Sequence, residues 1–166
     1  MPDQIPAESE LIHDWNTMGR GDVRPARGRV ELCDETLRDG LQSTSVRSPS
    51  LEEKIQILRS ISELGIEAAD IGLPGAGPHA ARQVLELARE IVDEKLAVEA
   101  NCAARTVIAD IEPIVEVSQR VGIAIEAACF LGSSPIRQYT EEWDLDRMER
   151  LTREAVGFAA GHGLPV

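Results

Sequence analysis

The densest run of reactive side chains is Asp34-Glu35-Thr36-Leu37-Arg38-Asp39-Gly40-Leu41-Gln42, directly after the apolar stretch Val30-Glu31-Leu32-Cys33. In an arbitrary sequence an Arg-Asp dipeptide is a surface ion pair. At the C-terminal end of a buried strand, the same two groups do different work. The carboxylate is a hard oxygen ligand for a divalent cation. The guanidinium is a fixed fork of donors for a carboxylate or an enolate oxygen. Parallel α/β folds collect their active sites at this end of their strands. Whether the motif can act therefore depends on the elements that place it there.

Those elements alternate. Val30 to Asp34 is a short β-prone run, followed by a polar loop from Gly40 to Pro49. Ser50 with Glu53 forms a capping-box pattern. The helix it opens carries Leu51, Ile55, Leu58, Ile61 and Leu64, and Gly65 stops it. Ile66 to Ile71 reads as a second strand, with the turn Gly72-Leu73-Pro74-Gly75-Ala76-Gly77 behind it. A helix bearing Val84, Leu85, Leu87, Ala88, Ile91 and Val92 comes next, then a third strand, Leu96 to Ala100. The third helix turns Ile108, Ile111, Ile114, Val115 and Val121 inward, with Pro113 expected in its first turn. Strand four is Ile123 to Phe130. A loop, Leu131 to Trp143, leads to a helix whose inner side is Leu145, Met148, Leu151, Ala155 and Ala159.

Repeated strand–loop–helix units with short returns call for parallel strands covered by helices. An open doubly wound sheet and part of a closed barrel both fit that pattern. The final Leu164-Pro165-Val166 reads as the start of another strand. A complete (β/α)8 barrel needs roughly 250 residues, so these 166 would be about half of one. Residues 1–29 read as an N-terminal extension, with a short helix over Glu8–Met18 and a Gly/Arg/Pro connector. Residues 30–166 read as the half barrel.

The net charge of −12, without a basic run, argues against a nucleic-acid partner. Neither a signal peptide nor a membrane-spanning apolar run is visible, so a cytoplasmic protein is expected. Cys33, Cys102 and Cys129 form no CxxC pair and read as buried, reduced thiols. With aromatics at 3%, the core must be built from Leu, Ile, Val and Ala.

The motif Asp34 to Gln42 resembles the first-strand signature of the DRE-TIM metallolyase superfamily. That group includes 2-isopropylmalate, homocitrate and citramalate synthases and HMG-CoA lyase. The likeness continues through Gly65 to Pro74, Ala104 to Ile111 and Phe130 to Pro135, so it covers most of the organised chain. It implies a TIM (β/α)8 barrel, of which this chain holds the first four βα units. It also implies a divalent metal ion (Mg, Mn or Zn), acetyl-CoA as co-substrate, a 2-oxo acid as acceptor and a homodimer. Asp39 matches the metal-binding aspartate, and Arg38 the catalytic arginine that steadies the carbonyl oxygen as it becomes an enolate. Gln42 is similar to a glutamine at the pocket floor. Asp70 stands where relatives usually have a glutamate, which leaves substrate binding or a structural hydrogen bond. Arg105 and Ser134 match substrate-binding positions at the pocket edge.

The resemblance would complete the metal site with a His-x-His pair. His13, His79 and His162 are unpaired and read as surface residues. One carboxylate cannot hold a catalytic metal, so this chain alone is expected to be inactive. Gly75-Ala76-Gly77 lacks the spacing of a phosphate-binding fingerprint and reads as a turn. The acidic run Glu141 to Asp146 reads as a capped helix start. Asp34-Glu35-Thr36-Leu37 favours a condensing synthase, whereas Leu41 is lyase-like. A third reading is a non-catalytic half barrel that self-associates through its strand edges.

Overall fold

The computed structural model describes residues 28–166, and the expected helix over residues 8–18 and most of its connector lie outside them. One compact unit spans Glu31–Val166. Its strands are β1 (Cys33–Asp34), β2 (Ala68–Asp70), β3 (Glu99–Arg105) and β4 (Glu126–Phe130). The helices are α1 (Leu51–Glu63), α2 (Pro78–Asp93), α3 (Ile108–Val121), α4 (Pro135–Glu141) and α5 (Leu145–Gly161). All strand pairs are parallel, in the order β1-β2-β3-β4. That order decides between the two architectures left open by periodicity. A doubly wound sheet reverses its strand order at a switch point, whereas a barrel lays each new strand beside the last. The chain follows the barrel rule. Pro165 extends it, its carbonyl accepting from the Ala127 N–H at 2.9 Å.

Alternation along the strands separates two faces. Ala69, Ala100, Cys102, Ala104 and Ala127 join the helices in the hydrophobic core. These small side chains leave room for Leu58 and Ile61 of α1, Val84, Leu87 and Ile91 of α2, and Ile111, Ile114 and Val117 of α3. Truncating a fully buried leucine such as Leu58 or Leu87 to alanine would cost about 2–5 kcal/mol. On the opposite face the register aligns Asp70 with Asn101 and Glu126, and Ala103 with Ala128. Asn101 is buried there, and its side-chain N–H donates to Cys33 Sγ at 3.2 Å. Polar groups thus gather where a closed barrel has its interior.

Ser50 forms both halves of the expected capping box with Glu53. Arg47 and the Ser50 N–H hold the Glu53 carboxyl down to about 2. Several expectations are corrected. Pro113 is the sixth residue of α3, beyond the first turn. It leaves Ala109, an exposed residue, with no helical N–H for its carbonyl. The stretch after β4 contains α4, which a loop reading missed; Pro135 opens it and Ser134 caps it. Leu145 and Ile108 are exposed, because each begins its helix before the apolar face meets the sheet. Cys33 is exposed, and all three cysteines are free thiols. No helix among the described residues is long and apolar enough to cross a membrane.

Candidate active site

The Asp34–Gln42 motif folds into a tight turn at the mouth of β1. Asp34 Oδ1 accepts from the Thr36 N–H at 2.8 Å, and the Glu35 carbonyl accepts from Arg38 and Gly40. Leu37 is buried and anchors the turn in the core. Arg38 is thereby directed across the sheet. Its Nε donates to Asp70 Oδ2 at 3.0 Å, Nη1 to Asp39 Oδ1 at 3.1 Å, and Nη2 to Glu35 Oε2 at 2.5 Å. Asp70, only 1% exposed, accepts a further bond from the Gly72 N–H at 3.0 Å. Burial pushes the Asp70 carboxyl above its ordinary range, against the pull of Gly72 and Arg38. Burial also works against the Arg38 charge, but Asp70, Glu35 and Asp39 together outweigh it and hold the guanidinium protonated.

Asp39 is exposed, at 64%, and opens the 3-10 turn Gly40–Gln42. Among the described residues its second oxygen has no partner, so a hard donor stands open at the strand mouth. That fits one ligand of the expected divalent metal. The described residues contain no group of three or more His, Cys, Asp or Glu able to hold an ion. His79 lies on α2, and His162 caps α5 with its ring against Phe158.

Gln42 and Arg38 line one cavity of about 210 Å³ together with Leu41, Lys54, Gly72 and Gln83. Lys54 donates to Gln83 at 2.7 Å, and burial draws its ammonium pKa down. Neither residue was expected here, since each reads as part of a helix surface in the sequence. Arg105 lies apart, at the mouth of β3. Its Nε and Nη2 grip Asp110 of α3, both at 2.7 Å, and its backbone N–H adds a third bond at 3.0 Å. Asp110 is 2% exposed, and the Arg105 bonds draw its carboxyl below the usual range. Gly75 makes this approach possible, because a Cβ there would meet Asp110 at 2.8 Å. Ser134 is exposed, and its hydroxyl accepts from the Arg137 N–H at 3.3 Å as the α4 cap. The structure therefore joins Arg38, Asp39, Asp70 and Gln42 and holds Arg105 and Ser134 at the neighbouring strand ends.

Comparison with known proteins meets this geometry from outside. The HMGL-like family profile matches residues 29–164. The chain belongs to the HMGL-like family. Family membership accords with the parallel sheet and alternating helices of a partial (β/α) barrel. Among curated HMGL-like relatives, homocitrate synthase of Methanosarcina mazei is 28% identical over 161 residues, which is 96% of this chain and 37% of that protein. The 2-isopropylmalate synthase of Erwinia tasmaniensis is 30% identical over 113 residues, 68% of this chain and 20% of that protein. The chain thus spans between a fifth and two fifths of the length of these relatives.

Proposed function

We propose that this chain carries the β1–β4 side of an active site that condenses acetyl-CoA with a 2-oxo acid. The observation behind this reading is Arg38, held at the strand mouth by Asp70 on one edge and by Glu35 and Asp39 on the other. A guanidinium fixed before the substrate arrives needs no reorganisation when negative charge develops on a nearby oxygen. In this reading Arg38 is the catalytic residue, and Asp70 is a positioning residue that keeps its fork aimed. Asp39 would supply one ligand to a divalent ion, and such an ion would contribute Lewis-acid polarisation of the acceptor carbonyl. Gln42 contributes a polar edge to the adjoining cavity.

A single carboxylate does not make a metal site, so turnover needs ligands beyond the described residues. The synthase names of the relatives support condensation over lyase chemistry. The test is to supply the full-length polypeptide carrying this chain with acetyl-CoA, a divalent metal and a panel of 2-oxo acids. Release of free CoA is then followed, and HMG-CoA is run in parallel. Acceptor-dependent CoA release is the expected result. Cleavage of HMG-CoA without condensation would move the activity to the lyase class, and the absence of both reactions would overturn the proposal.

A further inference from the structure

The carboxylates that hold Arg38 differ in how freely they can let it go. Asp70, 1% exposed, takes Nε from within the sheet, and parting the two would strand a buried charge. Glu35 and Asp39 are 49% and 64% exposed, so water can replace the guanidinium at either with little loss. Glu35 makes the closer contact, with Nη2 donating to its Oε2 at 2.5 Å, against 3.1 Å from Nη1 to Asp39. The backbone sets that contact up. The Glu35 carbonyl accepts from the Arg38 N–H at 3.2 Å and from the Gly40 N–H at 3.0 Å, so both side chains leave one turn, three residues apart. Among the described residues Glu35 has no ion-pair partner besides Arg38.

The Nη side of Arg38 is therefore already occupied by negative charge. Three carboxylates surround a single guanidinium, and an anionic oxygen that comes to it must compete with them. The Glu35 charge also reaches past its partner: burial raises the Asp70 carboxyl, and Glu35 adds to that push. We infer that Glu35 is an internal competitor for the anionic oxygen of the acceptor acid, occupying Nη2 of Arg38 in the free protein and displaced when the acid binds. The inference rests on the proposed condensing site, whose affinity for 2-oxo acids it sets. Glu35 acts through Arg38 and is not itself a catalytic residue. One exposed side chain turning into water is enough for the exchange. One carboxylate replaces another on the same donor, and Asp70 keeps the guanidinium in place throughout.

Calorimetric titration of the full-length polypeptide with pyruvate in a magnesium buffer tests this, with pyruvamide as the uncharged counterpart. Glu35→Gln removes the charge and keeps the length. Glu35→Asp keeps the charge and falls one methylene short of Nη2. Both should bind pyruvate about two- to fivefold tighter, the worth of one exposed ion pair, and leave pyruvamide unchanged. A gain in Glu35→Gln alone would reduce Glu35 to a general negative field and overturn the inference. Weaker pyruvate binding in both variants, the mark of a residue that only braces Arg38, would overturn it too. So would an equal gain for pyruvamide, or no binding of pyruvate to any form. Tighter pyruvate binding in both variants without condensation of any 2-oxo acid would keep the competitor and sink the proposed reaction. Condensation with pyruvate affinity unaltered in both would do the reverse.

Discussion

The mouths of β1 and β3 each carry an arginine gripped by a buried aspartate, yet the two clamps are balanced differently. At β1, Asp70 makes one bond to Arg38, and burial dominates, so its carboxyl is pushed up. At β3, Asp110 takes Arg105 through two side-chain bonds and a backbone bond, and attraction dominates, so its carboxyl is drawn down. Arg38 is also shared with Glu35 and Asp39 and is 21% exposed, against 64% for Arg105. The β3 pair is self-sufficient and leaves one edge of its arginine to solvent. The β1 pair is one part of a larger charge cluster. An arginine held by several carboxylates is fixed from more than one side, as the proposed role of Arg38 requires.

Breaking the first clamp should have the largest effect. With Arg38→Ala in the full-length polypeptide, kcat for condensation should fall on the order of 10²–10³, with circular dichroism confirming that the fold survives. Turnover within a few-fold of the unmodified protein would show that the β1 clamp is only structural.

The two clamps also lean on different glycines. Gly72 donates to Asp70 with φ +140°, and a Cβ there would meet Val84 at 2.9 Å. Gly72→Ala therefore combines backbone strain with overpacking, each costing about 1–3 kcal/mol. Gly75→Ala meets only the second cost, against Asp110, so denaturant unfolding should give a loss of about 1–3 kcal/mol. Equal losses at the two positions would erase the distinction. Activity should separate them further, since Gly72→Ala disturbs the carboxylate behind Arg38.

The smallest effect is one of pH, and its sign differs between the clamps. Asp110 has a lowered native pKa, so it stabilises the fold above the unfolded aspartate value of about 3.9. That contribution is lost as pH falls through the native value. Asp70 has a raised native pKa, so stability declines as pH rises from about 3.9 through the native value. Thermal melts from pH 3 to 7 should show the gap between the unmodified protein and Asp110→Asn narrowing on acidification. The gap to Asp70→Asn should move in the unmodified protein's favour as pH falls. Parallel slopes would contradict the comparison.

Local chemistry explains what the sequence made legible. The strand–helix alternation, the Ser50–Glu53 capping box and the placing of Arg38-Asp39 after a strand follow from periodicity and short-range hydrogen bonding, which need no knowledge of the rest of the chain. Leu58, Val84 and Ile114 fell on the core face because a 3.6-residue repeat has only one apolar side to bury. The short helix α4 escaped notice because seven residues are too few to show that repeat.

Other features were settled only when the strands came together. Periodicity cannot order strands, and the β1-β2-β3-β4 sequence of the sheet is what selects the barrel over the open fold. Asp70 stands 32 residues from Arg38, so neither its burial nor its partner is visible in either segment alone. Asp110 lies only five residues from Arg105. Its worth still depends on Gly75, which admits it to the interior from another unit of the chain. Sequence determines which groups a turn can present; packing determines which of them lose their water, and the loss of water sets how strongly each charge acts.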